Sequence, residues 1–403
     1  MATPSLFSRA GLALLFLASG CALQTPPNTL PAPLVYDTPA PPTPVKPTPA
    51  VTPVDSIVKP PQPPRVLSDA EGQQLVNRLL PARISDRKGW ANDIFAAFSH
   101  LRVPYSAENF CAVMAVIEQE STWQSDPVVP GMGDIVWKEI EQRASRYYVP
   151  LLAVKTALLV PSSTGASYKA RIDGLKTERQ LNALYEEMTG AVPLIGQKLA
   201  LKNPIRTGGP MQVSIAFAED HVKEKPYPYS RRSNIRDEVF TRRGGVYFGT
   251  AILLDYPVNY SNMRYRFADF NAGRYSSRNA AFQQAVARLA GKSLALDGDL
   301  LRYNNGQAST DGSETWRALQ GLSSKLGLSS AEIARDLRQE KQLSFEKTPL
   351  YQKVFALADK NHRADRETMP RIDLKSPKIV RKLTTQWFAD RVNGRYQACL
   401  QRQ

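Results

Sequence analysis

Phe110-Cys111-Ala112-Val113-Met114-Ala115-Val116-Ile117-Glu118-Gln119-Glu120-Ser121-Thr122-Trp123 is the stretch whose reading decides the fold. The run from Phe110 to Ile117 carries no charge, and it predicts a helix. At about 100° per residue, Val113, Val116 and Ile117 fall within about 60° of Glu120, whereas Glu118 points roughly the opposite way. Glu118 is thus expected to be a solvated glutamate and Glu120 to lie on the stripe that faces the core or a cleft. Desolvation disfavours the charged form of a carboxyl, raises its pKa and makes it a usable general acid near neutrality. A buried glutamate paired with one of the 52 Lys and Arg residues is the other reading of the same stripe.

Outward from this helix, the chain divides by composition. Residues 10–18 form a short apolar run behind Arg9, too short to span a bilayer as a mature helix, which fits a secretion signal over residues 1–20. Leu17-Ala18-Ser19-Gly20-Cys21 resembles a bacterial lipobox, and the resemblance implies cleavage before Cys21, lipidation of its thiol (palmitate among the acyl groups) and, with Ala22 next, sorting to the outer membrane. An ordinary signal peptide with a chance cysteine is the alternative. Residues 21–66 hold about half of the 31 prolines and almost no apolar periodicity. Such a stretch cannot bury a core and reads as an extended tether, at about 3.1 Å per residue, with roughly 100 Å of reach; a Pro-rich ligand for another domain is the other reading.

The remaining chain is long enough for one large or two ordinary cores. Helical spacing recurs over 134–159, 177–201, 214–222, 247–256 and 279–290, with breaks at 160–167 and 203–210. Ser329 to Glu332 matches a capping box, and another helix is expected after Pro349. Cys111 and Cys399 either form one disulfide in an oxidising compartment or remain two buried thiols. His100, His221 and His362 are scattered, and neither CxxC nor HExxH occurs, so no metal is expected. Gly131-Met132-Gly133 lacks the rest of a phosphate loop, so no nucleotide cofactor is expected either.

The formal charge of +15 indicates an anionic partner. In a cell envelope this means peptidoglycan stem-peptide carboxylates, lipopolysaccharide phosphates or anionic lipid, and not nucleic acid. Arg231, Arg232, Arg236, Arg242 and Arg243 form the densest basic stretch, which either flanks a glycan cleft or is a solvated loop.

Three short segments occur in order: Glu120-Ser121 at a helix end; Gly208-Gly209-Pro210-Met211-Gln212; and Ala268-Asp269-Phe270-Asn271-Ala272-Gly273. Together they resemble the soluble lytic transglycosylase group of the lysozyme-like superfamily, whose pattern runs Glu-Ser, Gly-x-Met-Gln, Tyr-Asn-Ala-Gly. A glycine-led helix with Gly245 and Gly249 lies between the last two, as in that family. The whole chain also resembles the YaiW-type group of uncharacterised bacterial outer-membrane lipoproteins. The resemblance implies a mainly α fold: a lysozyme-like domain over 67–300 with a helical insertion at 124–206, and a C-terminal helical extension over 301–403 packed on the core. It further implies cleavage of the bond between N-acetylmuramic acid and N-acetylglucosamine in peptidoglycan, with Glu120 as acid and then base. Ser121 would help orient it or the substrate, Gln212 and Asn271 would hydrogen-bond the sugars, Met211 would pack beneath the cleft, and Phe270 and Gly273 would line it. Phe270 stands where that family has tyrosine, and the spacing from Glu120 to Gln212 is longer than in that family. An insertion covering the groove would instead indicate a non-catalytic outer-membrane lipoprotein that keeps the fold to bind glycan or to support another envelope component.

Overall fold

The computed structural model describes residues 66–190, 203, 205–230, 234–304, 307–360, 362–374 and 383–403. The signal segment, Cys21, the tether up to residue 65, and Arg231 and Arg232 lie outside the described residues.

The fold is mainly helical, and most of its helices begin where the sequence supplies a side-chain cap. α1 (Asp69–Leu79) opens on Ser68, whose hydroxyl accepts from the Glu71 N–H while the Glu71 carboxylate takes the Ser68 N–H. α2 (Arg87–Leu101) is capped by Asp86 and α3 (Ala107–Ser121) by Ser106. The region read as an insertion supplies α4 (Met132–Ser145), α5 (Leu151–Ala157), α6 (Tyr168–Asp173) and α7 (Glu178–Gly190). The single helix expected over 134–159 is therefore two. Pro150 disfavours helical backbone at Val149, and Tyr148 turns the chain with φ +56. Of the helix expected over 177–201, the part after 190 lies outside the described residues.

A two-residue antiparallel pair follows, β1 (Thr207–Gly208) with β2 (Val213–Ser214), then α8 (Ile215–Glu224), α9 (Ile235–Val239), α10 (Arg242–Leu254), α11 (Met263–Ala272) and α12 (Ser276–Ala290). The tail holds β3 (Arg302–Asn304), β4 (Gln307–Ser309), α13 (Glu314–Gly321), α14 (Ser323–Leu326) and α15 (Ser330–Leu337). After a 3-10 turn at Leu343–Lys347 come α16 (Pro349–Ala358), β5 (Asp373–Leu374), β6 (Leu383–Thr384) and α17 (Thr385–Leu400). The Ser329–Glu332 capping box forms, and Pro349 takes the first position of α16.

α3 lies at the centre of the larger of two hydrophobic clusters. Every residue from Phe110 to Ile117 is buried, so this helix is apolar all round rather than on one stripe. Each of its large side chains contributes about 1.5–3 kcal/mol of burial energy. α17 crosses α3 and α11, and a disulfide between Cys399 and Cys111 joins them, with Cα atoms 5.5 Å apart. The smaller cluster runs from Phe282 on α12 through Leu319, Ile333 and Leu350 to Ala364. The last helix of the segment read as an extension thus leaves the small cluster and returns to the main core.

Candidate active site

Glu120 is the penultimate residue of α3, and the chain stops being helical just beyond it. Thr122 and Trp123 both adopt positive φ, +49 and +63, which is rare for L residues and least tolerated at a β-branched one. Trp123 is buried, edge-on to Trp90 with ring centroids 5.3 Å apart, and this packing holds the reversal in place. Glu120 keeps partial solvent contact through the cleft. Desolvation nevertheless dominates its titration, and with the negative charge of Glu178 it pushes the pKa up to about 8 against the opposing pull of Arg395. Glu118 is half-buried rather than freely solvated, with Arg395 and Arg402 in its field. Ser121 does not face the cleft: its hydroxyl is buried and donates to the Ile117 carbonyl at 2.9 Å. This back-bond satisfies the hydroxyl within its own helix and removes it from the orienting role expected for it.

The second segment is seated on glycines. A Cβ at Gly245 would stand 2.4 Å from the Pro210 ring, and one at Gly249 would stand 2.3 Å from Met211 Sδ. Both glycines lie on α10, so that helix presents bare backbone to the 208–212 turn, and Met211 packs flat against it, fully buried. Gln212 then sits at φ +49, outside the helix and strand regions. Its amide is tied at both ends: Oε1 accepts from Thr207 Oγ1 at 3.1 Å, and Nε2 donates to Glu178 Oε2 at 2.9 Å.

The third segment is the end of α11. Asp269 is fully buried and accepts from the hydroxyls of Tyr256 and Tyr260 and from the backbone N–H groups of Tyr275 and Ser277. Burial raises its pKa, and the hydrogen bonds from Tyr260, Ser277 and Tyr256 work against that rise. They bind the end of α11 to the start of α12. Between them Gly273 reverses the chain at φ +110, which a side chain would strain. Asn271 is fixed from the tail, its Oδ1 accepting from Thr385 Oγ1 at 3.0 Å. With that oxygen engaged, the Nδ2 amide is the donor it can offer a ligand.

The three segments meet on one cavity of about 270 Å³, lined by Glu120, Gln212, Phe270, Asn271 and Gly273. Neighbours of the three segments and Ile252 of α10 also line it, and the tail adds Leu374, Leu383, Trp387 and Phe388. Among the described residues of 124–206, none lines it. The insertion reaches the site through Glu178, which is 5% exposed and lies behind Gln212. More open hollows of about 540 and 560 Å³, beside Tyr265 and beside Asn109, are lined by no residue of the three segments.

Glu178, Thr385, Trp387 and Arg395 are site residues that the sequence reading missed. Glu178 begins a helix 58 positions after Glu120, and no local pattern separates it from any other acidic first-turn residue. The tail left one signal. If Cys111 and Cys399 pair, the last helix must lie against the Glu120 helix, and its aromatic residues become candidate wall.

The described arginines of the basic stretch are used internally. Arg242 pairs with Asp86 and Asp93, Arg243 with Glu238, and Arg236 donates to the Ile205 carbonyl. None of the three lines the cavity. His221 is buried with Nε2 3.3 Å from the Tyr247 hydroxyl, and burial lowers its pKa, as befits a core histidine. Among the described residues, no three His, Cys, Asp or Glu side chains gather as a metal site, and no helix is long and apolar enough to cross a membrane.

Residues 83–402 match the model of the family described as "Protein of unknown function (DUF1615)". The chain belongs to this family. It is also 48% identical over 328 residues to "Uncharacterized protein YaiW" of Escherichia coli (strain K12), an alignment covering 81% of this chain and 88% of the relative. This places the chain in the YaiW-type group. No solved structure matches it. The family match spans all three cavity segments and α17, so the site belongs to the family's common region.

Proposed function

We propose that the protein is an outer-membrane lipoprotein with a lysozyme-like core that cleaves the glycosidic bond between N-acetylmuramic acid and N-acetylglucosamine in peptidoglycan, as a lytic transglycosylase. What carries this reading is the placement of Glu120 on one cleft with Gln212 and Asn271, where burial pushes its pKa up to about 8. Protonated Glu120 gives its proton to the glycosidic oxygen as the bond from the anomeric carbon breaks. The resulting carboxylate takes the proton of the muramyl C6 hydroxyl, whose oxygen bonds to that carbon and leaves a 1,6-anhydro end. The nucleophile comes from the sugar, so no second carboxylate of the paired-carboxylate kind is required. Lipidated Cys21 and the Pro-rich tether would hold the domain within reach of the wall. The test is digestion of purified sacculi by the full chain and by Glu120→Gln, with mass analysis of released muropeptides. Wild type releases anhydro-muropeptides and the variant at least about 100-fold fewer; no release by wild type, or equal release by both, contradicts the reading.

One observation favours the alternative, a non-catalytic envelope lipoprotein that binds glycan. Phe270 lines the cleft and brings no hydroxyl to Glu120. Sacculus binding without any muropeptide release would select it.

A further inference from the structure

Gln119 stands one place before Glu120 on α3, lines the same cavity and is 8% exposed. Its carboxamide Oε1 is buried with no hydrogen-bond partner. Among the described residues left with such an atom, Gln119 is the one that lines the cavity. An unpaired buried polar atom is unfavourable in the free protein, and folded chains hold few of them. A methionine would fill the same space without that cost. We propose that Gln119 is a ligand-binding residue of the cleft, whose carboxamide completes its hydrogen bonding on the acetamido group of a neutral aminosugar. This inference rests on the reading of the cleft as a glycan site.

The charge of the lining selects the ligand class. Among the described residues that line the cavity, Glu120 is the single ionisable side chain, and no Lys, Arg or His joins it. A carboxylate or phosphate of the ligand would be desolvated there with no cation to receive it. The part of the wall polymer that fits is its neutral glycan backbone rather than its stem-peptide carboxylates, although the chain as a whole carries +15.

The amide chemistry narrows it further. Gln212 and Asn271 bring two more carboxamides to the lining, and protein hydrogen bonds hold both: Thr207 and Glu178 hold Gln212, and Thr385 holds Asn271. Gln119 is not held through Oε1, and the terminal torsion of a glutamine is soft. Its amide can therefore turn to present either Nε2 or Oε1, a donor or an acceptor. An acetamido group carries one carbonyl and one N–H, so either orientation finds a partner. The lining also holds Ile252, Phe270, Leu374 and Leu383, apolar surface for the acetyl methyl that a hydroxyl group would leave unused. Removing the acetyl group deletes the carbonyl and the methyl together, and the desolvated amide is left short of a partner.

The test compares the full chain with Gln119→Met, which keeps the volume and removes the amide. Melting is followed without ligand, and calorimetric titration measures binding of tetra-N-acetylchitotetraose and of its de-N-acetylated form. Because the variant removes a buried unpaired atom, its Tm should stand about 2–4 °C above wild type. Its affinity for the acetylated probe should be about 5–10-fold weaker, while the two proteins should not differ on the de-N-acetylated probe. A glutamine that serves the fold gives the opposite sign, so a variant that melts lower or does not fold overturns the inference. Unchanged affinity for the acetylated probe, an equal loss on both probes, or a wild type that binds neither also overturns it. The same two proteins are assayed on sacculi. Acetylated-probe binding that Gln119→Met weakens, with no muropeptide release by wild type, removes the catalytic reading and leaves Gln119 as a glycan-binding residue. Muropeptide release with the same KM in both proteins overturns the role of Gln119 and leaves the catalytic reading intact.

Discussion

At the scale of one residue, Glu120 is set apart by surroundings that are poor solvent for a charge. That carries a cost in stability. Its folded pKa of about 8 lies above the ordinary value near 4.5, so the native state holds the extra proton through the interval between them. The contribution is harmless below about pH 4.5 and grows more unfavourable as pH rises toward 8. Glu120→Gln, which cannot ionise, should therefore raise Tm at pH 8 by an amount corresponding to on the order of 3 kcal/mol, and leave it nearly unchanged at pH 4. Calorimetry across that range checks the sign; equal effects at both pH values contradict it. Much of this residue was legible in the sequence, because helical phase alone put Glu120 on the face of Val113 and Val116. The same argument misjudged Glu118, since α3 is buried on every side and offers no fully solvated face. It also could not foresee Ser121 turning inward to the Ile117 carbonyl, a rotamer choice the sequence does not encode.

At the scale of elements, the site is a junction whose parts are fitted by small residues. α10 carries Gly245 and Gly249 so that Pro210 and Met211 can lie on its backbone. Gly249→Ala would set a methyl group against Met211 Sδ and Cβ, where Met211 is fully buried and cannot swing out. The expected loss is about 1–3 kcal/mol, by overpacking, together with displacement of Gln212 and a higher KM. Denaturant unfolding and sacculus kinetics measure the two effects separately. Thr385→Val tests the other side of the cleft: it removes the hydroxyl that fixes Asn271 and should weaken glycan binding several-fold, since an amide free to flip presents its oxygen as often as its nitrogen. The glycine spacing and the Asn-Ala-Gly turn were readable as motifs. Thr385 was not, because its partner lies 114 residues away and the contact exists only in three dimensions.

At the scale of the whole molecule, the chain closes on itself. The segment expected to be a packed extension ends in α17, which supplies Trp387 and Phe388 to the cavity wall and is fastened to α3 through Cys111 and Cys399, 288 residues apart in sequence. A crosslink over so long a loop stabilises by about 5–6 kcal/mol on the chain-entropy account. The double substitution of Cys111 and Cys399 to Ser should lower stability by that order and loosen α17, so that KM rises more than kcat falls; thermal melts and kinetics decide. The insertion was legible as helical, but its relation to the cleft was not. Its described residues line no part of the cavity and touch the site from behind through Glu178, a placement that depends on how α4 to α7 fold back. The central claim is that Glu120 alone carries the proton transfers while the sugar's own hydroxyl is the nucleophile. Digestion of sacculi in heavy-oxygen water, with mass analysis of the released muropeptides, tests it most directly. The account predicts anhydro ends without label from wild type and no products from Glu120→Gln. Labelled reducing ends, or unchanged release by the variant, would contradict it.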